Sequence, residues 1–417
     1  MERLVSLLLV ALLLAGCSAE EGPGEQTSPQ TTAPMATTQP QGDVLRLDEY
    51  QVITQAQGQT HTVMKSFGYE EDVLRRVTES YDGTKTKETL YDSAGQIQSQ
   101  TQWDSAGRVV SRWDYEYDHR GQLTQEVCRA DDQERSRTTY GYDDAGRMVE
   151  KTFFQEGAEQ TRQTWAYDEL GQVLEVVQYE LGQEVDRVVY AYAGQGMIRD
   201  YVHFRQGQEL ERCDYTYGPA GEQLEARYSY QGKESSLTTF TYDESGAQTA
   251  EICRYPDGSG YERHFRTTQT DGLIVREETL EQNGQLIFHG LYTYGSDGAL
   301  LEQVETGSGS VTRIVFSYDD GGREISRTTY EDDRQTQRLE YDYDVSGQLV
   351  GERSYQDEAL EWAYTYSYLD GHLIGGEKVS GDGQTTVILR ATTRRVAADD
   401  VQAQMLAQLF GQLEEIL

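Results

Sequence analysis

Tyr140-Gly141-Tyr142-Asp143-Asp144-Ala145-Gly146 is the stretch on which the reading of this chain turns. The same order of aromatic, any residue, aromatic, short polar turn and glycine returns at Trp165 to Gly171, Tyr190 to Gly196, Tyr215 to Gly221 and Phe240 to Gly246. The second aromatics fall at 142, 167, 192, 217 and 242, a constant period of 25. A period of this size marks a stack of like supersecondary units, not one globular enzyme core.

With the second aromatic as position zero, units start at Tyr69, Tyr91, Tyr117, Tyr142, Tyr167, Tyr192, Tyr217, Tyr242, Thr268, Tyr294, Tyr318, Tyr343 and Tyr368. Glycine follows at +4, an aliphatic residue at +6 or +7, and a second turn near +15, as at Glu156-Gly157, Leu181-Gly182, Gln206-Gly207 and Asn283-Gly284. Glycine supplies the positive φ of such turns, and Asp or Asn closes them through the side chain. Between the turns stand segments long enough for one strand each. Steps of two back from position zero give Tyr142, Tyr140, Thr138 and Tyr217, Tyr215, Cys213, so one face carries aromatics and the other charged and small polar residues. Thr268 keeps the register without the tyrosine, so the period serves architecture.

These features predict an all-β fold over residues 43–393: an elongated antiparallel hairpin-repeat array, coiled or solenoid, with the tyrosines on its covered inner face. Val44 to Tyr69 reads as an extra, irregular unit turning at Gln57-Gly58. After Thr393 the pattern stops, and residues 394–417 are expected to form an amphipathic helix. Its stripe of Val401, Met405, Leu406, Leu409, Phe410, Leu413, Ile416 and Leu417 would close the last sheet edge.

Ahead of the repeats, Leu4 to Leu14 is an apolar run too short to span a bilayer, ending in Leu14-Ala15-Gly16-Cys17. The segment 1–17 resembles a bacterial lipoprotein signal with its lipobox, which implies cleavage before Cys17, lipid attachment there and an extracytoplasmic, membrane-anchored protein. Residues 18–42, rich in Glu, Thr, Pro and Gln, read as a disordered tether. Cys128, Cys213 and Cys253 remain, an odd number without zinc-site spacing, and are expected to be buried thiols.

Tyr-Asp-x-x-Gly-x-aliphatic followed by a hairpin, strongest at Tyr91 to Gly95, Tyr117 to Gly121, Tyr142 to Gly146, Tyr167 to Gly171, Tyr242 to Gly246 and Tyr343 to Gly347, resembles the RHS or YD-repeat family. The aspartate is missing at Ala193, Gly218 and Gly295. The resemblance implies an exported or surface protein whose repeats build a strand-rich shell, in some members around a toxic domain and in some linked to carbohydrate binding. This chain lacks the DPxG-type signature of the toxin-bearing form.

The formal charge of −36, from 72 acidic against 36 basic residues, excludes nucleic acid or anionic lipid bound through a basic face. His61, His119, His203, His264, His289 and His372 fall in different units without a recurring partner, and no P-loop, nucleophile elbow or zinc helix is present. The expectation is a non-enzyme without cofactor or metal, whose turn aspartates shape turns. Two readings of its function follow: a cell-envelope scaffold for protein partners, or a glycan binder using Trp103, Trp113, Trp165 and Trp362.

Overall fold

The computed structural model describes residues 43–71, 73–307, 309–397, 409–411 and 413; the expected signal, Cys17 and the expected tether lie outside them. Twenty-eight strands form one antiparallel sheet in which each strand pairs with the next along the chain. The first, Asp43–Ala56, also pairs with the last, Thr385–Ala397, from Asp43 opposite Ala397 to Ala56 opposite Thr385. The hairpin array is as expected, but its ends meet: the sheet is a closed barrel, not an open coil or solenoid. Pairing the two ends satisfies both rows of backbone groups that an open array would leave as edges.

At one rim, two-residue turns join the strands with both residues at positive φ, as at Glu156 (50°) and Gly157 (82°), which matches the strand twist. One residue of the following strand is extra there: Glu159 lies opposite Phe154 and Thr161 opposite Phe153, with Gln160 bulged. The bulge carbonyl is used by the neighbouring hairpin, since Leu181 N donates to Gln160 O at 2.9 Å. Glu156 N to Arg135 O and Gln206 N to Val185 O repeat the bond. The other rim carries most of the Asp loops, and both ends of the sheet emerge there.

A ring of 28 strands at ~4.8 Å spacing, tilted by roughly 40°, would be about 55 Å across if circular, too wide for opposite walls to meet. Burial agrees. The strand Ala158–Tyr167 has no buried residue on either face, and the same half-exposed pattern runs through most of the wall. The tyrosine face is therefore not the tight covered interior that alternation suggested; the wall is one layer thick.

Dense packing is concentrated at the seam. The fully buried side chains are Leu47, Leu373, Leu389 and Leu413, all within one cluster with Leu45, Tyr50, Phe67, Leu74, Val77 and Phe410. Residues 394–397 belong to the last strand, so the expected helix does not begin at 394; residues 398–408 lie outside those described, and helix is seen at Leu409–Gly411 and Leu413. Phe410 stacks on His372 at 4.5 Å. With no free edge to plug, these residues cover the join between first and last strands.

Candidate functional site

The recurring tyrosine has a specific bond. Tyr142 Oη donates to Leu123 O at 2.9 Å, Tyr167 to Met148 O at 2.8 Å, Tyr192 to Val173 O at 2.7 Å and Tyr217 to Ile198 O at 2.7 Å. Each hydroxyl reaches the +6 carbonyl of the preceding unit, and Tyr117, Tyr242, Tyr318 and Tyr343 do the same. That carbonyl lies next to the break in the ladder, where Tyr167 pairs with Val173 and skips a residue, so the phenol serves a backbone group beside the bulge. Tyr167→Phe is expected to cost about 1 kcal/mol, read as a lower urea midpoint with unchanged m-value.

The aspartate that follows shapes the loop. Asp168 Oδ1 accepts from Leu170 N at 2.9 Å and Gln172 N at 2.8 Å, while Gly171 N donates to Asp168 O. Asp92, Asp104, Asp118, Asp243, Asp319 and Asp344 each accept from the amides two and four residues on. These bonds hold the carboxyl of Asp118 below the usual carboxylate value, chiefly through the Gln122 amide; at Asp243 the Ser245 hydroxyl is the larger cause.

The +5 side chain links consecutive loops. Gln96 Nε2 donates to Gly121 O and Gln122 Nε2 to Gly146 O, both at 2.7 Å. Arg147 binds Asp143 in its own loop at 2.7 Å, donates to Asp168 O at 3.1 Å and lies over the Tyr167 ring at 4.7 Å. Arg323 repeats the contact over Tyr343.

The opposite face carries a ladder that residue spacing did not disclose. Arg137, Arg162, Arg187, Arg313 and Arg338 lie over Phe154, Tyr179, Phe204, Tyr330 and Tyr355, their direct cross-strand partners, at 3.9–5.5 Å from the ring centres. Glu134, Glu159 and Glu184 pair with the first three arginines. Acid and arginine three apart would face opposite ways on a regular strand; the bulge residue between them returns both to one face. At exposed sites each such cation and ring contributes about 0.5–1 kcal/mol.

The four tryptophans do not converge. Trp113, Trp165 and Trp362, at −4, −2 and −6 from Tyr117, Tyr167 and Tyr368, share the tyrosine face, whereas Trp103 lies on the other. All four are half-buried. Lys85 Nζ sits 4.1 Å over the Trp103 ring, and Lys378 Nζ 4.5 Å over that of Trp362. Trp113 and Trp165 are four strands apart, about 19 Å.

Across four neighbouring strands of the tyrosine face, Val188, Tyr201 and Cys213 are buried together against Tyr190, Tyr215 and Tyr228. Beside them His203 Nε2 lies 2.7 Å from Asp186, which also accepts from Arg205. The three described cysteines are free; Cys213 and Cys253 are buried as expected, while Cys128 is only half-buried. Among the described residues no group of three or more His, Cys, Asp or Glu is placed to hold a metal ion.

No curated protein matches the sequence. Among solved structures, a crystal structure of TcdB2-TccC3 without its hypervariable C-terminal region is 12% identical over 80% of this chain and 27% of that one, with a TM-score of 0.20. The chain thus spans about a quarter of that structure's length. Porin-like proteins from Bacteroides uniformis and Bacteroides vulgatus are 9% and 13% identical over 84% and 58% of this chain and 98% and 95% of theirs, with TM-scores of 0.17 and 0.16. At those scores the architecture rests on the strand pairing itself. Residues 237–345 match a family described as Uncharacterised protein, and residues 91–133 match the RHS Repeat family. The chain thus carries an RHS repeat at residues 91–133, and the Asp loop and tyrosine bond of that segment recur as far as Tyr343.

Proposed function

We propose that this protein is a non-catalytic scaffold of the cell envelope, anchored by lipid on Cys17, whose closed wall is a binding surface for protein partners. The observation that carries this reading is the seam: joining the first and last strands leaves a single-layer wall without free edges and with side chains of both faces open to water. The groups that recur most, the position-zero tyrosines and the loop aspartates, are engaged within the wall. What varies from unit to unit is the exposed surface, which suits partner recognition more than repeated chemistry.

A wall facing lipid would need one face apolar over ~25 Å. Here neighbouring residues on one strand charge both faces, as Glu150 with Lys151 and Arg199 with Asp200 do, and this favours a wall in water. The carbohydrate reading is weakened at Trp103 and Trp362, which Lys85 and Lys378 cover, and Trp113 and Trp165 stand too far apart for one subsite.

Photo-crosslinkers placed at exposed wall positions in cells, together with a Cys17→Ser variant, test the proposal. The expected result is one recurrent crosslinked envelope protein from the anchored form and release of the Cys17→Ser protein from membranes. Membrane retention without Cys17, or no crosslinked partner from any wall position, would overturn it.

A further inference from the structure

Asn283 is the only asparagine of the sequence, and glycine follows it. Asparagine is among the thermolabile residue types. It sits first in a two-residue turn with φ of 52°, followed by Gly284 at 77°. Its turn is clamped to the strand Gly260–Thr270: Asn283 N donates to Gly260 O at 3.0 Å, and Gly260 N donates to Asn283 Oδ1 at 2.9 Å. Gly260 is buried, and a Cβ there would stand 2.0 Å from the carbonyl oxygen of Cys253, so the clamp's anchor has no room for a side chain.

We propose that Asn283-Gly284 is a covalent modification site, a self-deamidating turn whose rate the fold controls through the Gly260 clamp. The Gly284 amide nitrogen attacks Asn283 Cγ, forming an N–Cγ bond; the Cγ–Nδ2 bond breaks, and the nitrogen's proton leaves with the ammonia. Water then opens the cyclic imide at one of its two carbonyls, giving aspartate or its β-linked isomer. No oxidant or reductant enters. The clamp holds the carboxamide oxygen on the neighbouring hairpin, so ring closure requires local opening of the turn.

The two products differ in consequence. Aspartate re-forms the clamp, because aspartate already makes it elsewhere: Asp82 Oδ1 accepts from Thr62 N at 2.7 Å and Asp332 Oδ1 from Val311 N at 3.0 Å, each with the reciprocal backbone bond. The β-linked isomer adds a methylene to a two-residue turn and cannot keep this register. Leu286 and Ile287, already exposed just beyond the turn, are then freed further.

The test incubates the full chain at mildly alkaline pH, native and in denaturant, and follows ammonia release, the amide-to-acid mass gain and β-linked aspartate by peptide mapping. The expected result is reaction at Asn283 at least about tenfold slower in the native protein, since opening must precede it. Asn283→Gln abolishes that signal, and Asn283→Asp folds with an unchanged thermal midpoint. Equal rates in the native and denatured chains, an undiminished signal in Asn283→Gln, or destabilisation by Asn283→Asp would each overturn the proposal.

Discussion

Leu47→Ala lowers the stability of the barrel by about 3 kcal/mol, the cost of emptying a fully buried leucine site that its surroundings cannot collapse to fill. The same truncation at half-exposed wall positions such as Leu174 or Leu224 costs far less, because little apolar area is lost there. The contrast follows from where the core lies. Leu47 on the first strand, Leu389 on the last, and Phe410 and Leu413 beyond it share one cluster, so a cavity at Leu47 loosens the join. Urea unfolding checks the loss, and hydrogen exchange should show first protection lost along Asp43–Ala56 and Thr385–Ala397. A Leu47→Ala protein as stable as the parent would mean that the seam is not the main packing site.

Stability forms a plateau in pH with a loss at each end. At Asp104, Asp118, Asp143, Asp243, Asp319 and Asp344 the folded carboxyl lies below its usual 3.8. A depressed folded value contributes stability that is present above 3.8 and lost as pH falls through the folded values. The phenols work in the other direction. Burial pushes Tyr190 up to about 12, and Tyr142, Tyr167, Tyr192 and Tyr343 are also raised above 10, mainly by desolvation. Their contribution is complete below pH 10 and disappears as pH rises through the folded values. The net charge of −36 opposes the acid trend, since protonation relieves self-repulsion; salt near 0.15 M screens that term over about 8 Å, whereas the loop bonds are in direct contact. Thermal midpoints measured across pH at that salt should fall below 3.8 and above 10. In alkali the tyrosinate absorbance should rise together with loss of strand signal. A smooth tyrosine titration near pH 10 in a still-folded protein would contradict the bond from each phenol to its carbonyl.

The repeat was legible because every unit presents the same local chemistry. The +4 glycines lie at positive φ, Gly146 at 83° and Gly171 at 87°, and the second turns fall where Gly157 and Gly182 place them. Even the unit at Thr268 keeps pairing without its tyrosine, with Thr268 opposite Val275 and a two-residue turn at Asp271-Gly272. Closure was not legible, because it joins Asp43 to Ala397 and no local pattern encodes a contact at that separation. The bulges were missed for a related reason. Gln160 leaves no mark on composition, yet it moves Glu159 and Arg162 onto one face and creates the ladder over Tyr179.

For the candidate site, the sequence named four tryptophans without their faces, and it held no sign of the lysine over Trp362 or of the distances around the ring. The +5 position, a recurrent Gln or Arg at 96, 122, 147, 172, 323 and 348, was passed over in the sequence, and its role in joining loops emerges only from geometry.

The most direct test of the closed wall is a cysteine pair at Ile53 and Ile388, which face each other across the join of the first and last strands. Directly opposed residues in an antiparallel pair have Cβ atoms about 4.5–5.5 Å apart, close to disulfide range. Under mild oxidation of the Ile53→Cys, Ile388→Cys protein, the account predicts an intramolecular disulfide in the monomer, identified by peptide mapping. Two thiols that stay free in the folded monomer, or that link only separate molecules, would show that the ends of the sheet do not meet.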